Sequence, residues 1–222
     1  MNTQKKLCIL GCILDVVIVI FGCLGSYIEI HENTIVMLTY YTIDSNILMA
    51  AACMLDIYYQ VRAGKGETVP KWIKKVKFLG VCCMSITFLV VFCVLAPQGG
   101  IVGYCRSFFE GALKYQHFLC PLLAIAGFFV VDSKQEAVDK TTAKLSLIPT
   151  VCYAIATTTG NIIKVMHGPY PFLYVYEQPI YMSVLWAIII LGMAYGISWG
   201  LQKINNKVYE KSLWKIYNLS EV

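Results

Sequence analysis

Six long apolar runs constrain the fold of this chain more than any other feature of its sequence. Each holds about 20 mainly hydrophobic residues, the length that an α-helix needs to cross the hydrocarbon core of a bilayer. Because a helix satisfies its own backbone hydrogen bonds in lipid, such runs predict membrane-spanning helices. The sequence therefore predicts an all-α, polytopic membrane protein, a six-transmembrane-helix bundle, with spans at about 7–27, 35–59, 78–97, 113–131, 144–163 and 179–202.

The composition and the short connections support one membrane domain. Hydrophobic residues make up 58% of the 222 residues and charged residues only 14%, whereas soluble domains carry roughly 25% charged residues. The connections between the runs leave no room for a separate soluble domain. We therefore expect a single six-helix membrane domain over 1–222.

The distribution of Lys and Arg predicts how the bundle lies in the membrane. Fifteen of the 18 basic residues lie at the two ends and in the second and fourth connections, and the others are Arg106, Lys114 and Lys164. Because basic connections stay in the cytoplasm, both termini are expected to be cytoplasmic, in the cell (plasma or cytoplasmic) membrane. The net charge of +5 follows from this bias. The expected partners are therefore membrane lipids, with anionic head groups on the cytoplasmic side and no nucleic acid.

The second run contains an unusual polar stretch, MLTYYTIDSNIL, at 37–48. Polar and ionisable residues are costly in hydrocarbon, so a cluster of them within a span is a hypothesis for a functional site. Asp44 points to one side of the predicted helix, where it is expected to pair with Arg106, Lys114 or a tyrosine hydroxyl. At 100° per residue, roughly the opposite face carries Thr39, Thr42, Asn46, Met49 and Cys53.

Polar residues of two other runs lie at a similar predicted depth. With a rise of about 1.5 Å per residue, Thr42 lies roughly 12 Å and His117 roughly 6 Å below the outer surface. The polar stretch at 157–161 in the fifth run lies at a comparable level. We therefore predict that His117 approaches Thr42, or Thr39 one turn further out.

Two connections on the outer side are rich in aromatic residues, Gly and Pro: PQGGIVGYCRSFFEGALKYQ and HGPYPFLYVYEQP. Aromatic residues favour the membrane–water interface, so these loops are expected to fold down at the outer rim. Pro169 and Pro171 restrict the backbone of the YPFL segment. We predict that Tyr170 and Phe172 pack over the mouth of the cavity as a lid.

The remaining titratable and thiol groups predict no further chemistry. Asp15 is expected to pair with a neighbouring helix, and Asp56 to reach the inner interface. His31, His117 and His167 all lie on the outer side, but their spacing matches no metal-ligand motif. The ten cysteines are expected to be free thiols. The sequence contains no soluble-hydrolase motif and no phosphate-binding loop, so we expect no metal and no cofactor.

Three stretches resemble signatures of the androgen-induced membrane protein family, which has many bacterial six-helix members. LTYYTIDSNIL is similar to the family's second helix, and QHFLCPLL to its helix with a histidine shortly before a proline. YPFL is similar to the segment before the family's last helix. The three stretches occur in the family's order and extend along the whole chain.

The resemblance implies a threonine hydrolase, because animal members cleave fatty acid esters of hydroxy fatty acids with a membrane Thr and His. The family's His matches His117. Its Thr matches Thr42 if YYT is aligned, in agreement with the bacterial pattern Y-F-T-x-x-S-N, or Thr39 if LT is aligned. Animal members also have a second His, where this chain has KYQ at 114–116.

The implied chemistry is cleavage of a lipid ester through an acyl-threonine. A hydroxyl becomes a good nucleophile when a base takes its proton, so Thr42 would attack the ester carbonyl while His117 accepts the proton. Asn46, one turn further along and supported by Ser45, is expected to donate a hydrogen bond to the developing oxyanion. This chemistry predicts an active site in the outer half of the bilayer.

The same helix face predicts the path of the lipid chain, which is expected along Met49 and Cys53. Two other functions stay open on the sequence alone. One is the binding or transport of a lipid or small solute without catalysis. The other is acyl transfer, because an acyl-enzyme can pass its chain to the alcohol of another lipid instead of water.

Overall fold

All regular structure in the described part of the chain is helical. The computed structural model describes residues 3–33, 38–64 and 67–220. Its α-helices are α1 (Thr3–Asn33), α2 (Tyr41–Ala63), α3 (Lys71–Val90), α4 (Gly100–Phe109), α5 (Cys120–Val130), α6 (Lys140–Leu145), α7 (Ile148–Ile162) and α8 (Ile180–Ser220). The all-α prediction is confirmed.

Four stretches are long and apolar enough to cross a membrane: Lys5–His31, Lys71–Phe109, Lys114–Lys134 and Ile180–Trp214. They overlap the first, third, fourth and sixth predicted spans. The second and fifth spans correspond to α2 and α7, which do not reach the same length and hydropathy. Helix α2 has 23 residues but contains the polar stretch, and α7 has only 15 residues because α6 is a separate short helix before it.

Helix α2 begins later than the sequence predicts. Its N-cap is Tyr40, whose backbone is extended (φ −92°, ψ 126°), while 34–37 lie outside the described residues. Thr42 is therefore in the first helical turn and Thr39 precedes the helix, so the predicted helical stripe that joined them is wrong. Asp44 also lies in this first turn, where the helix dipole favours a negative charge. Among the described residues Asp44 forms no ion pair with Arg106 or Lys114.

Two prolines are preceded by π-helical turns. Val91–Leu95 is a π-helix before Pro97, and Lys114–Leu119 is a π-helix before Pro121. Pro121 has no N–H to donate to the carbonyl of His117 four residues earlier, so the regular α-helical pattern is interrupted there. The N–H of Cys120 bonds instead to the carbonyl of Tyr115. Wide turns of this kind occur frequently at functional sites.

The first aromatic connection forms a helix rather than the loop that the sequence predicts. The chain turns at Gly100, which has φ +58°. Helix α4 then packs against the turns that follow α3, the π-helix Val91–Leu95 and the 3-10 helix Ala96–Gly99. Gly103 directly abuts the carbonyl of Ala96, which leaves no space for a side chain. The hydroxyl of Tyr104 donates to the carbonyl of Phe92 at 3.0 Å. This packing brings the C-terminal end of α4 close to the π-helical turn that contains His117.

The main core lies between α1, α2, α3, α5 and α8. Met49 and Cys53 are fully buried in it, together with Ile18 of α1 and Phe78 of α3. Gly80 allows the close approach of α2, because a Cβ there would lie 2.8 Å from Sδ of Met49. The face of α2 that carries Met49 and Cys53 therefore packs against neighbouring helices.

A cluster of five charged side chains lies around the start of α3. Nζ of Lys77 is 2.8 Å from Asp15 and 3.0 Å from Asp56. Lys74 is 3.0 Å from Asp56, and both lysines are 3.3 Å from Asp132. The predicted pairing of Asp15 with another helix is confirmed. The interfacial position predicted for Asp56 is wrong, because its side chain is 2% exposed and paired.

The start of α3 explains this cluster. Since α3 begins at Lys71, Lys74 and Lys77 belong to its first two turns, although the predicted third span begins only at residue 78. Burial of a single charge is strongly unfavourable, whereas paired charges compensate one another. The acidic residues of α1 and α2 therefore face the basic start of α3.

Candidate functional site

Thr42 and His117 lie in contact where the start of α2 meets the π-helical turn before α5. Oγ1 of Thr42 is 3.2 Å from Nε2 of His117, and the two side chains are only 5% and 9% exposed. Helix α2 begins beside Thr42, and the π-helical turn presents His117 to it. The difference in depth of about one turn that the sequence suggested does not separate the two groups.

The second nitrogen of His117 determines how this pair is hydrogen bonded. Nδ1 lies 3.1 Å from the carbonyl oxygen of Ser107 on α4. A carbonyl oxygen only accepts hydrogen bonds, so Nδ1 must hold a proton and donate it. In the neutral imidazole Nε2 then has the lone pair, and the hydroxyl of Thr42 donates to it. The contacts therefore assign the tautomer that a general base requires.

Ser107 was not predicted from the sequence. It contributes only its backbone carbonyl, and any residue at that position has one. Its role depends on the path of α4, which the sequence indicated as an irregular loop. A partner that contributes only a backbone carbonyl cannot be predicted from the pattern of side chains in the sequence.

Tyr170 of the YPFL segment is the third group at Thr42. Its hydroxyl lies 3.5 Å from Oγ1 of Thr42 and accepts a hydrogen bond from the backbone N–H of Thr42 at 3.4 Å. The first N–H groups of a helix have no partner within the helix, so this N–H is available to Tyr170. The predicted lid residues Tyr170 and Phe172 both line the cavity that Thr42 faces.

The YPFL segment is fixed to the bundle at both ends. Oδ1 of Asn161 on α7 accepts from the N–H of Gly168 at 2.7 Å, and Nδ2 of Asn161 donates to the carbonyl of Thr157. At the other end, Nε2 of Gln178 donates to the carbonyl of Phe172 at 3.0 Å. Asn161, which the sequence placed among the polar residues of the site, thus anchors the segment that covers Thr42.

Asn46 and Ser45 have geometry that differs from the predicted oxyanion role. Nδ2 of Asn46 donates to the carbonyl of Thr42 at 2.8 Å and to the carbonyl of Gln116 at 3.2 Å. Both amide protons are therefore engaged, and neither is free for an oxyanion. Oγ of Ser45 lies 2.9 Å from the carbonyl of Thr42 and 2.8 Å from Oγ1 of Thr87. These side chains connect α2 to the π-helical turn and to α3, and so hold Thr42 beside His117.

Thr39 lies at a different cavity. It lines a space of about 450 Å³ together with Asp44 and Tyr153, and its carbonyl accepts from the hydroxyl of Tyr153 at 2.7 Å. The threonine that contacts His117 is Thr42. Thr39 does not contact His117 in the same way because it lies before the start of α2, whereas Thr42 lies in the first turn of that helix.

The cavity that Thr42 faces has a volume of about 560 Å³. It lies between α3, α7, α8 and the YPFL segment, and its lining is mostly apolar, with residues such as Val90, Ile180, Val184, Trp186, Ile190 and Leu191. Met49 and Cys53 are not among its lining residues. Their predicted role along the lipid chain is replaced by a role in the core, because their face of α2 packs against other helices.

The other two histidines contact partners of their own. His167 lies 2.8 Å from Glu177, with both side chains exposed, and the ring of His31 packs against Tyr27. Over the described ranges, no group of three or more His, Cys, Asp or Glu side chains is arranged to hold a metal ion. The polar groups around Oγ1 of Thr42 are the imidazole of His117 and the phenol of Tyr170.

Comparison with known protein families, with characterised proteins and with solved structures finds no match. The arrangement itself is the basis for a functional assignment. A buried hydroxyl donates to a correctly protonated imidazole, and on its other side it faces an apolar cavity. This combination is suited to attack on an electrophilic carbonyl in an apolar molecule.

Proposed function

We propose that this chain is an intramembrane hydrolase of lipid (fatty acid) esters, with Thr42 as nucleophile and His117 as base. Two connected hydrogen bonds support this proposal. One joins Oγ1 of Thr42 to Nε2 of His117, and the other joins Nδ1 of His117 to the carbonyl of Ser107. A nucleophile, a base and a group that orients the base are the three parts of covalent hydrolases.

The proposed reaction has two steps. Oγ1 of Thr42 bonds to the ester carbonyl carbon as its proton moves to Nε2 of His117, and the carbonyl electron pair moves to the oxygen. The tetrahedral intermediate collapses, the bond to the alcohol oxygen breaks, and Nε2 returns the proton to the leaving alcohol. Water then attacks the acyl carbon while Nε2 of His117 takes a proton from it. The bond between this carbon and Oγ1 of Thr42 breaks, and Nε2 returns the proton to Oγ1. The products are a fatty acid and an alcohol.

The cavity supports a lipid as substrate. Its volume of about 560 Å³ is within the usual range of about 300 to 1,000 Å³ for ligand pockets. Its apolar lining favours a hydrocarbon chain, and the polar groups of Thr42 and Tyr170 are at one wall. Several apolar residues of α8, such as Val184 and Ile188, are exposed on the outside of the bundle. A lipid would therefore enter laterally from the outer leaflet.

We further propose six membrane crossings, with both termini cytoplasmic in the cell membrane and anionic head groups beside the basic inner surface. Several polar side chains that lower the hydropathy of α2 are buried, namely Ser45, Asn46 and Asp56, whereas Asp44 in the first turn is exposed. A helix whose polar groups face protein can cross a bilayer. Helices α6 and α7 together extend from Lys140 to Ile162, which is comparable in length to a span.

Labelling with a fluorophosphonate probe tests the assignment. The probe reacts with activated hydroxyl nucleophiles, so the wild type should be labelled at Thr42, as read by peptide mass spectrometry. Thr42→Ala and His117→Ala should lose the label, whereas Thr39→Ala and Thr158→Ala should keep it, since Thr158 lines the same cavity without contacting His117. Label on Thr39, or undiminished label on Thr42→Ala, contradicts the proposal.

Analysis of the products separates the two remaining functions. With a fluorogenic fatty acid ester in vesicles, hydrolysis releases free fatty acid. If the label is present but the acyl chain appears on an added lipid alcohol, the protein is an acyltransferase that uses the same acyl-threonine. If a fluorescent lipid binds with no label and no turnover, the chain is a binding or transport protein.

A further inference from the structure

We propose that Tyr170 is a catalytic residue whose hydroxyl, together with the backbone N–H of Thr42, forms the oxyanion hole of this site. The inference rests on the proposed hydrolase function and adds the group that stabilises its transition state. Tyr170 was expected from the sequence only as part of a lid. Its contacts with the nucleophile itself indicate a more direct role.

The hydrogen bonds around Oγ1 of Thr42 are consistent only if Tyr170 donates. The hydroxyl proton of Thr42 is directed to Nε2 of His117. The phenol oxygen of Tyr170 accepts from the N–H of Thr42 at 3.4 Å. The phenol proton is then directed to Oγ1 of Thr42, 3.5 Å away. In the tetrahedral intermediate Oγ1 of Thr42 is bonded to the former carbonyl carbon of the ester, which also holds the oxyanion. A donor that already points at Oγ1 therefore needs only a small rotation to reach the oxyanion.

The N-terminus of α2 contributes the second donor. Helix α2 has 23 residues, and Thr42 is in its first turn. Its N–H bonds to Tyr170 rather than to a carbonyl of the helix. The positive end of the helix dipole favours a negative charge at this position. Preorganised donors of this kind, aimed at the oxygen where charge develops, are the usual composition of an oxyanion hole.

Tyr170 is held in place and remains protonated. Its side chain is 8% exposed, its ring stacks on Phe172 with centroids 5.1 Å apart, and the edge of Tyr40 packs against it. Burial raises the pKa of the phenol to about 12, so the hydroxyl is a donor at neutral pH. The amide of Asn46 bonds to two carbonyls, whereas the hydroxyl of Tyr170 lies beside Oγ1 of Thr42 at the cavity.

The attack of Thr42 on the ester carbon requires no proton transfer from Tyr170. As Oγ1 of Thr42 bonds to the ester carbon, the carbonyl oxygen takes the electron pair of the broken π bond. The O–H of Tyr170 turns from Oγ1 to this oxyanion, and the N–H of Thr42 donates to it as well. When the intermediate collapses, the carbonyl re-forms and the O–H of Tyr170 returns to Oγ1.

The test compares Tyr170→Phe with Tyr58→Phe. Tyr58 is not among the residues that line the cavity, and its exposed hydroxyl accepts a hydrogen bond from Arg62 at 2.7 Å, so its replacement also removes one hydrogen bond but none at Thr42. With p-nitrophenyl octanoate, Tyr170→Phe should lower kcat by about 100-fold and change KM little, because an oxyanion-hole donor acts in the transition state. Tyr58→Phe should keep a kcat close to that of the wild type.

A pair of inhibitors distinguishes an electrostatic role from a structural one. Octyl trifluoromethyl ketone forms a tetrahedral anion on Thr42, whereas octyl methyl ketone binds as a neutral molecule. Tyr170→Phe should weaken binding of the first by roughly 10- to 100-fold and leave the second unchanged. Equal weakening of both ketones, or wild-type kcat in Tyr170→Phe, overturns the inference.

The two proposals fail in distinguishable ways. If Thr42→Ala and His117→Ala are inactive while Tyr170→Phe behaves as wild type, the hydrolase assignment stands and the oxyanion role of Tyr170 is wrong. If wild type is neither labelled by a fluorophosphonate nor active on p-nitrophenyl octanoate, the hydrolase assignment is wrong, and the role of Tyr170 is wrong with it.

Discussion

The hydroxyl oxygen of Thr42 lies 3.2 Å from Nε2 of His117, although the two residues are 75 positions apart in the chain. The contact joins the N-terminal turn of α2 to the π-helical turn before α5, and α4 completes it through the carbonyl of Ser107. Three helices must therefore be correctly packed before the imidazole can accept the proton of the hydroxyl. Changes in this packing should affect reactivity even where the two side chains are unchanged.

Replacement of Thr42 by Ser should largely preserve hydrolase activity, whereas replacement by Val should abolish most of it. Thr42→Ser keeps a hydroxyl that can donate to His117 and should retain most of the activity. Thr42→Val has nearly the same shape but no nucleophile, so hydrolysis of p-nitrophenyl octanoate should fall by at least about 100-fold. Thr158→Val, at the wall of the same cavity, is the control. Comparable activity of the two valine variants would falsify the role of Thr42.

Asn46→Ala should affect both stability and reactivity. The change removes the donor to the carbonyls of Thr42 and Gln116. The carbonyl of Thr42 still accepts from Oγ of Ser45, whereas the carbonyl of Gln116 loses its side-chain donor, and a buried acceptor left unpaired costs about 1 to 3 kcal/mol. We expect lower thermal stability in detergent and slower fluorophosphonate labelling, with the label still on Thr42. Gln98→Ala removes a similar bond to the carbonyl of Val94 at an exposed site and should change neither measurement. Labelling of Asn46→Ala at the wild-type rate contradicts the positioning role.

Lys77→Met should be strongly destabilising. Lys77 is 4% exposed and pairs with Asp15 and Asp56. Asp56 keeps its pair with Lys74 in the variant, but the buried carboxyl of Asp15 loses the lysine that it pairs with, and breaking a buried pair costs about 3 to 5 kcal/mol. Lys75→Met is the matched control, because the pair of Lys75 with Asp139 is exposed and such pairs contribute about 1 kcal/mol or less. The free energy of unfolding in mixed detergent micelles measures both. Equal effects of the two substitutions would exclude a special role for the charge cluster around Lys77.

Asp139 should make the stability depend on pH in the acid range. Its side chain caps α6 by accepting from the N–H of Thr142, and this bond, with those to the Thr142 hydroxyl and to Lys75, lowers its pKa to about 2. The pKa in an unfolded chain is about 3.9. The stabilisation is therefore fully present above about pH 4 and is lost as the pH falls towards 2.

The difference in melting temperature between wild type and Asp139→Asn, measured from pH 2 to 6, checks this expectation. Asparagine keeps a capping oxygen but does not titrate in this range. The wild type should be more stable above about pH 4 and approach the variant near pH 2. A difference that does not change over this range contradicts the prediction.

The proposed topology places Cys105 outside and residue 67 inside the cell. Cys105 is exposed on α4, so a membrane-impermeant maleimide should label intact cells, and Cys105→Ser should remove that label. Glu67→Cys, introduced into Cys105→Ser, should be labelled only after the membrane is permeabilised, because the 60–77 connection is basic. Labelling of residue 67 in intact cells would reverse the orientation and with it the assignment of the outer leaflet.

The sequence by itself determined the helical character of this protein and the two residue types at its site. Long apolar runs can only be satisfied as helices in lipid, and the described chain is helical over nearly all of those runs. Thr42 and His117 were indicated because polar groups inside apolar runs are costly and therefore need a partner. The same reasoning predicted that Asp15 pairs with a neighbouring helix, which Lys77 of α3 provides.

Only the tertiary structure decided which atoms meet. Helical periodicity states which residues share a face, but it does not state where a helix begins or which neighbour that face meets. Because α2 begins at Tyr41 and its later turns pack against α1, α3 and α5, Met49 and Cys53 lie in the core and Thr39 lies outside the helix. The carbonyl of Ser107 and the hydroxyl of Tyr170 reach the site through the folding of α4 and of the YPFL segment. Such contacts depend on the path of the backbone between distant segments, and local patterns of residue type contain no information about that path.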